Sequence, residues 1–382
     1  MPASASMTVM ARPSDLDLEH VAALADFEGA ARARLPREVI DYVAGGSFDE
    51  VTLADNVGAF RRRRFRPRVL VETSRIDTAS TLLGFPVAAP FGICPMALQG
   101  LLHPDGELAM ARAAATAGIA MLLSTVSSRS LEEVAAAGSA AGVARDGDGG
   151  GGPRWFQLYV HRERALSRTL VERAAAAGYA AIVLTVDLPV MGHRDSEIRR
   201  IEALGGTYGN FADQGVDGAD LDQLIDMRHA TLTWDDVAEI ASWTDLPLVI
   251  KGILVGEDAR IAMESGAAAV VVSNHGGRQL DRAPASLDAL SEVVAAVAGR
   301  GEVYLDGGVR RGTDVVTALA LGADAVFVGR PMAWALAAAG EPGVARAIAL
   351  LRQELETTMA LLGTPSIASI TRGHVAAEPG GR

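Results

Sequence analysis

The chain has 382 residues, of which 49% are hydrophobic and 21% are charged, so we expect one large domain or two ordinary ones with a substantial core. Its formal net charge of -12 argues against binding to nucleic acid or to an anionic membrane surface, because both require a basic face. The single cysteine, Cys94, excludes an internal disulfide and a cysteine-based metal site. We recognise neither a signal peptide nor a transmembrane run, and we expect a cytoplasmic protein.

Residues 1–89 are predicted to form N-terminal helices and short capping strands. Helical patterns cover residues 15–35 and 36–44, and the second ends at Gly45-Gly46, a common helix-terminating signal. The arginine run at residues 61–64 is expected to form a solvated face or ion pairs. Two short strands are predicted around residues 81–83 and 86–88.

From residue 90 the pattern becomes regular, with eight short apolar runs that are typical of buried strands. They span residues 91–95, 121–124, 155–160, 180–186, 246–253, 268–273, 302–306 and 325–328. An amphipathic helical pattern follows each run, at residues 106–118, 130–138, 162–178, 233–244, 256–266, 286–299, 311–322 and 343–363. Eight strand–helix units predict an α/β fold, a (β/α)8 TIM barrel over residues 90–375, with an open doubly wound sheet as the alternative.

Two segments interrupt this pattern, and the chain ends in a short tail. Residues 139–152 include the glycine-rich stretch 146–152, which we expect to be a flexible surface loop without a phosphate-binding role. Residues 194–231 follow the fourth predicted barrel strand on the side where barrel active sites lie, so we predict a mobile lid loop. Residues 376–382 are expected to be disordered.

Chemically useful residues lie at or just beyond the carboxyl end of nearly every predicted barrel strand, where enzymes of this fold carry their active sites. They are Met96, Ala97, Ser124, Gln157, Tyr159, Thr185, Asp187, Lys251, Ser273, His275, Asp306, Gly307, Gly308, Gly329 and Arg330. Buried polar groups are costly unless they bind a ligand or one another. The distribution therefore favours one active site over unrelated structural residues.

The most informative stretch covers residues 273–281 and directly follows a predicted strand. His275 could accept a proton while Arg278 holds a carboxylate through two parallel hydrogen bonds, so the pair suits chemistry on an acid. Taken alone, this short motif is more often a polar loop that contains a structural histidine. The residues at the other strand ends shift the balance toward function.

The ends of the last two predicted strands have the features of a phosphate site. Residues 306–312 and 328–331 each offer glycine amides and arginines at the usual phosphate position of a barrel, with ordinary tight turns as the alternative.

Lys251 could form a Schiff base, place a cation beside an anion or make a structural ion pair. The seven histidines lack metal-ligand spacing and no Gly-x-Ser-x-Gly motif occurs, so we predict neither a metal site nor a serine nucleophile.

Together these motifs resemble the FMN-dependent L-2-hydroxy acid oxidases and dehydrogenases, which include glycolate oxidase, lactate oxidase, mandelate dehydrogenase and 4-hydroxymandelate oxidase. The resemblance covers residues 26–374 and rests on Ser-Asn-His-Gly-Gly-Arg-Gln-Leu-Asp at 273–281, Asp-Gly-Gly-Val-Arg-Arg-Gly at 306–312, Phe-Gln-Leu-Tyr at 156–159 and Lys251-Gly252. It implies FMN as cofactor and oxidation of a 2-hydroxy acid to the 2-oxo acid. It also implies reoxidation by O2, forming H2O2, or by another acceptor, and a homotetramer.

The resemblance further implies roles for individual residues. His275 would be the base, Asp187 would orient its imidazole, and Lys251 would stabilise the negative charge of reduced flavin. The residues expected to contact the substrate are Tyr42, Val126, Tyr159, Arg194 and Arg278. Those expected to contact FMN are Met96, Ala97, Ser124, Gln157, Thr185, Lys251, Ser273, Asp306, Gly308, Arg310, Gly329 and Arg330. Whether the α-hydrogen leaves as a hydride or as a proton stays open.

Val126 distinguishes this chain from part of the family. Glycolate and lactate oxidases carry a bulky aromatic residue at this position, whereas mandelate-type relatives carry a small or aliphatic one. We therefore expect a roomy apolar pocket and a bulky or aromatic substrate such as mandelate or 4-hydroxymandelate. The alternatives are a lactate or glycolate enzyme, a non-flavin barrel isomerase or Schiff-base aldolase, and a binding barrel without catalysis. The large apolar insert of membrane-bound relatives is missing, which again predicts no membrane association.

Overall fold

The computed structural model describes residues 16–146, 151–195, 206–214 and 232–376. Three helices lead into the main body of the fold: α1 (Leu24–Arg32), α2 (Arg37–Ala44) and α3 (Val51–Arg62). The helix predicted at residues 15–35 is therefore shorter than expected, and α3 was not predicted. The buried side of α3 includes the polar residues Thr52 and Asn56, so its sequence lacks a continuous apolar stripe.

α3 is held by the motif at residues 273–281. Asn56 and Asn274 exchange two side-chain hydrogen bonds of 2.8 Å, and the amide of Thr52 donates to Oδ1 of Asp281 at 2.8 Å. A carboxylate in the first turn of a helix accepts from its unsatisfied amides and interacts favourably with its dipole. Asn274 and Asp281 of the motif thus have a structural role. Because polar residues of α3 make these contacts, its sequence shows no apolar periodicity.

A short antiparallel hairpin, β1 (Ser80–Leu82) and β2 (Phe85–Val87), follows α3. The amide of Leu83 donates to the carboxylate of Glu302, the first residue of a barrel strand, at 2.9 Å. Leu82 belongs to one apolar cluster with the fully buried rings of Trp155 and Tyr304. The hairpin therefore closes the amino-terminal end of the barrel and leaves the opposite end for the site.

Eight parallel strands close into a barrel, which confirms the (β/α)8 prediction. They are β3 (Phe91–Ile93), β4 (Ala120–Ser124), β5 (Arg154–Leu158), β6 (Ala181–Thr185), β7 (Leu248–Ile253), β8 (Ala269–Val272), β9 (Glu302–Asp306) and β10 (Ala325–Val328). Each strand pairs with the next, and β10 returns to β3. The strands are buried nearly throughout because one face packs inside the barrel and the other against helices.

The helices that follow the strands form the outer layer. They are α4 (Gly106–Ala117), α5 (Leu131–Asp146), α6 (Arg164–Ala176), α7 (Trp234–Ala241), α8 (Gly256–Glu264), α9 (Ser286–Val297), α10 (Gly312–Ala320) and α11 (Arg330–Leu362). α11 kinks at Ala339 and Gly340, where the backbone leaves helical geometry. The helix predicted at residues 343–363 is thus only its second half, and α1 packs against α11.

α5 corrects the prediction of a surface loop at residues 139–152, because the helix continues to Asp146. Gly138 does not end the helix. A Cβ there would lie 2.9 Å from the guanidinium of Arg154, so this glycine allows close packing within a run of alanines that favours helix. Within the glycine-rich stretch, residues 147–150 lie outside the described residues, and Gly152 packs directly on the main chain of Ile119.

Only part of the predicted lid, residues 194–231, falls within the described residues. Tyr208 and Phe211 are buried against the barrel, and the mobility of the lid stays a prediction. The side-chain amide of Asn210 donates to the carbonyl of Thr125 at 2.9 Å and accepts from the amide of Leu131 at 2.8 Å. In the predicted tail, residues 377–382 lie outside the described residues, whereas the amide of Ala376 donates to the carbonyl of Arg64.

The arginine run forms ion pairs, which was one of the two expectations for it. Arg62 pairs with Asp55 and Asp288, both at 2.6 Å, and Arg63 also pairs with Asp288. These pairs fasten the end of α3 to α9, although exposed ion pairs of this kind add little stability. Among the described residues, no helix combines the length and the hydropathy that crossing a bilayer requires.

Candidate active site

The carboxyl ends of the barrel strands and the loops beyond them line one cavity. Of the residues predicted from the sequence, it is lined by Tyr42, Met96, Ala97, Ser124, Val126, Tyr159, Thr185, Arg194, Lys251, His275, Arg278, Asp306, Gly308, Arg310, Gly329 and Arg330. The other three, Gln157, Asp187 and Ser273, are bonded to lining residues. The amide of Gln157, for example, donates to Oγ1 of Thr185 at 3.0 Å. The structure thus brings the predicted set together.

His275 and Asp187 form the central pair of the site. Nδ1 of His275 lies 3.0 Å from Oδ1 of Asp187, and both side chains are largely covered by protein. Nε2 of the same ring lies 3.4 Å from the hydroxyl of Tyr159. The backbone of His275 has a φ of 59°, which is uncommon for a residue other than glycine. The loop and the carboxylate together hold the ring with one nitrogen directed at the other lining residues.

The protonation states follow from burial and charge. Burial lowers the pKa of His275, and the carboxylate of Asp187 opposes this only in part, so the pKa lies below its usual value. Burial raises the pKa of Asp187, but the charges of His275 and Lys251 outweigh it and the net pKa is lowered. At neutral pH the pair is therefore a neutral imidazole and a carboxylate. Such an imidazole can accept a proton at Nε2 while Asp187 stabilises the cation that forms.

Lys251 on β7 provides a fixed positive charge. Its ammonium lies 3.1 Å from Oδ2 of Asp306 and donates to Oγ of Ser273 at 2.9 Å. Burial lowers the pKa of Lys251, but the carboxylates of Asp306 and Asp187 outweigh it, so the pKa is raised above its usual value. A lysine that forms a Schiff base requires a lowered pKa. The Schiff-base alternative therefore does not fit this residue, whereas a cation beside an anionic ligand does.

Arg310 and Arg330 lie where the sequence predicted a phosphate site. Within the described residues, the hydrogen bonds of the Arg330 guanidinium go to the carbonyls of Val43, Gly45 and Gly276 at 2.9–3.0 Å, and none goes to a carboxylate. Burial, with repulsion from neighbouring guanidinium groups, lowers the pKa of Arg330 to about 9. Burial also lowers the pKa of Arg310. Two enclosed cations with lowered pKa values favour binding of an anion.

The main chain around these arginines leaves room for that anion. Gly329 precedes α11, so the positive end of the helix dipole is directed at the cavity. A Cβ at Gly329 would approach nothing closer than Cβ of Cys94 at 3.6 Å. Gly308, by contrast, has a φ of +85° and packs on the carbonyl of Asn56, so a side chain there would collide with protein. Gly329 thus keeps the cavity open, and Gly308 allows the wall of the cavity to pack closely on Asn56.

Several lining residues were not predicted from the sequence. Among them are Cys94, Leu98, Leu102, Thr125, His161, Leu188 and Met191. Most lie on loops past the strand ends, where periodicity carries no signal. For His161 a signal existed, because residues two apart in an extended segment point the same way, and Tyr159 was predicted to lie in the site. Burial raises the pKa of the Cys94 thiol, so it is not an activated nucleophile.

Known proteins match this chain over most of its length. A family model described as FMN-dependent dehydrogenase matches residues 31–377. Glycolate oxidase 1 of Oryza sativa subsp. indica is 48% identical over 361 residues, which cover 92% of this chain and 94% of that protein. L-lactate oxidase of Nostoc sp. is 47% identical over 359 residues, covering 91% and 96%. The crystal structure of mandelate oxidase has a TM-score of 0.84 at 44% identity, covering 93% of this chain and 98% of that one.

We predict that His275 titrates below the usual midpoint of about 6.5 for histidine. The Asp187→Asn substitution should move this midpoint further down, because the carboxylate raises the pKa that burial lowers. Histidine-selective isotope labelling and NMR measure the titration, and the His275→Asn variant identifies the resonance. A midpoint that rises on removal of the carboxylate would contradict the assigned pair.

Proposed function

The chain belongs to the FMN-dependent dehydrogenase family and oxidises 2-hydroxy acids with FMN, and we propose that its substrate is a bulky or aromatic L-2-hydroxy acid. The proposed product is the corresponding 2-oxo acid. We expect a substrate such as mandelate or 4-hydroxymandelate. The observation that carries it is Val126 in the apolar part of the cavity.

The residues of the cavity fit FMN. Oδ1 of Asp306 is buried and makes no hydrogen bond within the described residues, so a ribityl hydroxyl would satisfy it. Arg310, Arg330 and the amino end of α11 would hold the phosphate, and Lys251 would lie beside the isoalloxazine. When bound, FMN accepts two electrons from the substrate. The ammonium of Lys251 would stabilise the negative charge that results.

His275 would take a proton from the substrate. This is the hydroxyl proton if the α-hydrogen leaves as a hydride, and the α-hydrogen itself if that leaves as a proton. Asp187 would stabilise the resulting imidazolium, and the hydroxyl of Tyr159, 3.4 Å from Nε2 of His275, would bind the substrate hydroxyl. Arg194 and Arg278 both line the cavity and would bind the carboxylate. Arg278 is steadied by the carbonyl of Tyr42 at 2.7 Å and lies over the ring of that tyrosine.

Size selectivity is the part of the proposal that depends on Val126. The amide of Leu98 donates to the carbonyl of Val126 at 3.0 Å, which ties together the loops that follow β3 and β4. Leu98, Leu102, Leu188 and Met191 line the same cavity. An aryl or branched side chain would bury apolar area against them, whereas the hydrogen of glycolate would leave that space empty. The relatives include both small-acid and mandelate oxidases, and this local feature is what supports the proposal of a bulky substrate.

We predict that kcat/KM for (S)-mandelate exceeds kcat/KM for lactate and glycolate. Val126→Trp should reverse the order by filling the pocket, with a loss for mandelate of about 100-fold. Anaerobic stopped-flow reduction of the flavin by the acid panel measures both effects, with (R)-mandelate as the stereochemical control. Val255→Trp, at an exposed position outside the cavity, is the matched control. A clearly higher kcat/KM for glycolate or lactate would contradict the proposal.

We further propose that O2 reoxidises the flavin and forms H2O2, since the relatives named above are oxidases. Admitting air to the reduced enzyme and measuring the H2O2 formed per substrate consumed tests this proposal.

We also propose a cytoplasmic location. The single cysteine supports it, and cell fractionation tests it.

The proposed assembly is a homotetramer. Val69, Leu70, Val71 and Leu361 form an exposed apolar patch with side chains 81%, 102%, 41% and 75% exposed. The two stretches adjoin, because the amide of Arg68 donates to the carbonyl of Leu362 at 3.0 Å. Such a patch favours subunit contact. Leu70→Glu should lower the mass measured by sedimentation equilibrium, and a monomeric native protein would contradict the proposal.

A further inference from the structure

We propose that Gln279 is a positioning residue that places both the orienting carboxylate and one carboxylate-binding arginine of the site. Its side-chain amide fastens the loop at residues 187–194 to the loop that carries His275. The inference deepens the proposed function and rests on it. Gln279 does not line the cavity, so it acts through its neighbours and not on the substrate.

The amide of Gln279 uses its whole hydrogen-bonding capacity on this loop. Nε2 donates to the carbonyls of Asp187 and Val190, both at 2.9 Å. Oε1 accepts from the amide of Gly192 at 3.0 Å and from the guanidinium of Arg194 at 3.3 Å. Two carbonyls on one side and two N–H donors on the other fix the orientation of the amide, because a flipped group would oppose like partners.

The loop lies directly on the backbone of the motif. A Cβ at Gly192 would collide with the carbonyl of Arg278, and Nε of Arg194 donates to that same carbonyl at 3.0 Å. Gln279 is only 9% exposed, so water cannot readily replace its bonds. The two ends of the clamped loop are Asp187, behind His275, and Arg194, in the cavity.

The two sides of the amide therefore serve different ends of the loop. The donor side holds the main chain of Asp187, and through it the carboxylate that contacts Nδ1 of His275 at 3.0 Å. The acceptor side holds Gly192 and the side chain of Arg194. Removing the amide leaves two carbonyls and two N–H groups without this partner, three of the four bonds being partly buried and the one from Arg194 buried, so the loop has to shift or admit water.

Two substitutions separate the two sides. Gln279→Met keeps the shape and removes all four hydrogen bonds. Gln279→Glu keeps the acceptors for Gly192 and Arg194 but loses the donors to Asp187 and Val190. Leu280→Ala, at a neighbouring side chain that is 72% exposed, is the matched control. The holoenzyme is measured in each case for FMN content, melting temperature, limiting rate of anaerobic flavin reduction and the dissociation constant for benzoylformate, the 2-oxo acid formed from mandelate.

We expect Gln279→Met to lower the limiting rate by about 10- to 100-fold and to weaken benzoylformate binding by about tenfold, because small displacements of catalytic groups have effects of this size. Gln279→Glu should lower the rate but keep benzoylformate binding within about threefold of the native value. FMN content should stay unchanged, since the phosphate residues lie on other loops. Leu280→Ala should match the native enzyme in all measurements.

Titration of His275 tests the same link without turnover. Gln279→Met should lower the titration midpoint of His275, as the Asp187→Asn substitution is expected to do. An unchanged midpoint with a rate within twofold of native overturns the inference, as does parallel loss of FMN, melting temperature, rate and binding in both variants. A native enzyme that no 2-hydroxy acid reduces, with the midpoint shift intact, would overturn the proposed function and leave the positioning role standing.

Discussion

The site depends on the enclosed positive charge of Arg330, whose hydrogen bonds within the described residues go to main-chain carbonyls and not to a carboxylate. A buried cation is costly unless an anion or several dipoles surround it. Arg330 is held by three main-chain carbonyls, and its pKa falls to about 9 under burial and the repulsion of nearby guanidinium groups. Binding a phosphate dianion relieves both effects. The same cavity therefore selects an anionic cofactor and an anionic substrate.

The acidic residues of the cavity do not cancel this charge, because each is committed to another partner. Asp306 pairs with Lys251 at 3.1 Å, and Asp187 contacts His275 at 3.0 Å. The first pair would hold an ammonium beside the bound flavin, and the second keeps an imidazole neutral beside a carboxylate that would stabilise its protonated form. In the proposed function the cationic groups would have separate roles: the arginines would bind the phosphate and the carboxylate, the lysine would stabilise the reduced flavin and the histidine would take the proton.

Much of this arrangement could be predicted from the sequence because it follows from regular features. Apolar runs of strand length predicted the barrel, and the polar residues at the carboxyl ends of these runs or just beyond them, among them His275, Lys251 and Asp306, predicted the site. What could not be predicted depends on contacts between loops that are distant in sequence. α3 was not predicted because its buried side includes Asn56, which is hydrogen-bonded to Asn274. α5 was predicted too short because Gly138 resembles a helix end, whereas in the structure it allows close packing. The clamp made by Gln279 is visible only when the loops after β6 and β8 lie together.

The most direct test of the enclosed positive charge compares FMN with riboflavin, which lacks the phosphate. Titration of the flavin-stripped protein, followed by quenching of flavin fluorescence, measures both affinities in the native protein and in Arg330→Met. We expect the native protein to bind FMN at least about 100-fold more tightly than riboflavin, and the variant to lose most of that preference while riboflavin affinity changes little. A variant that keeps the native preference for FMN would contradict the account.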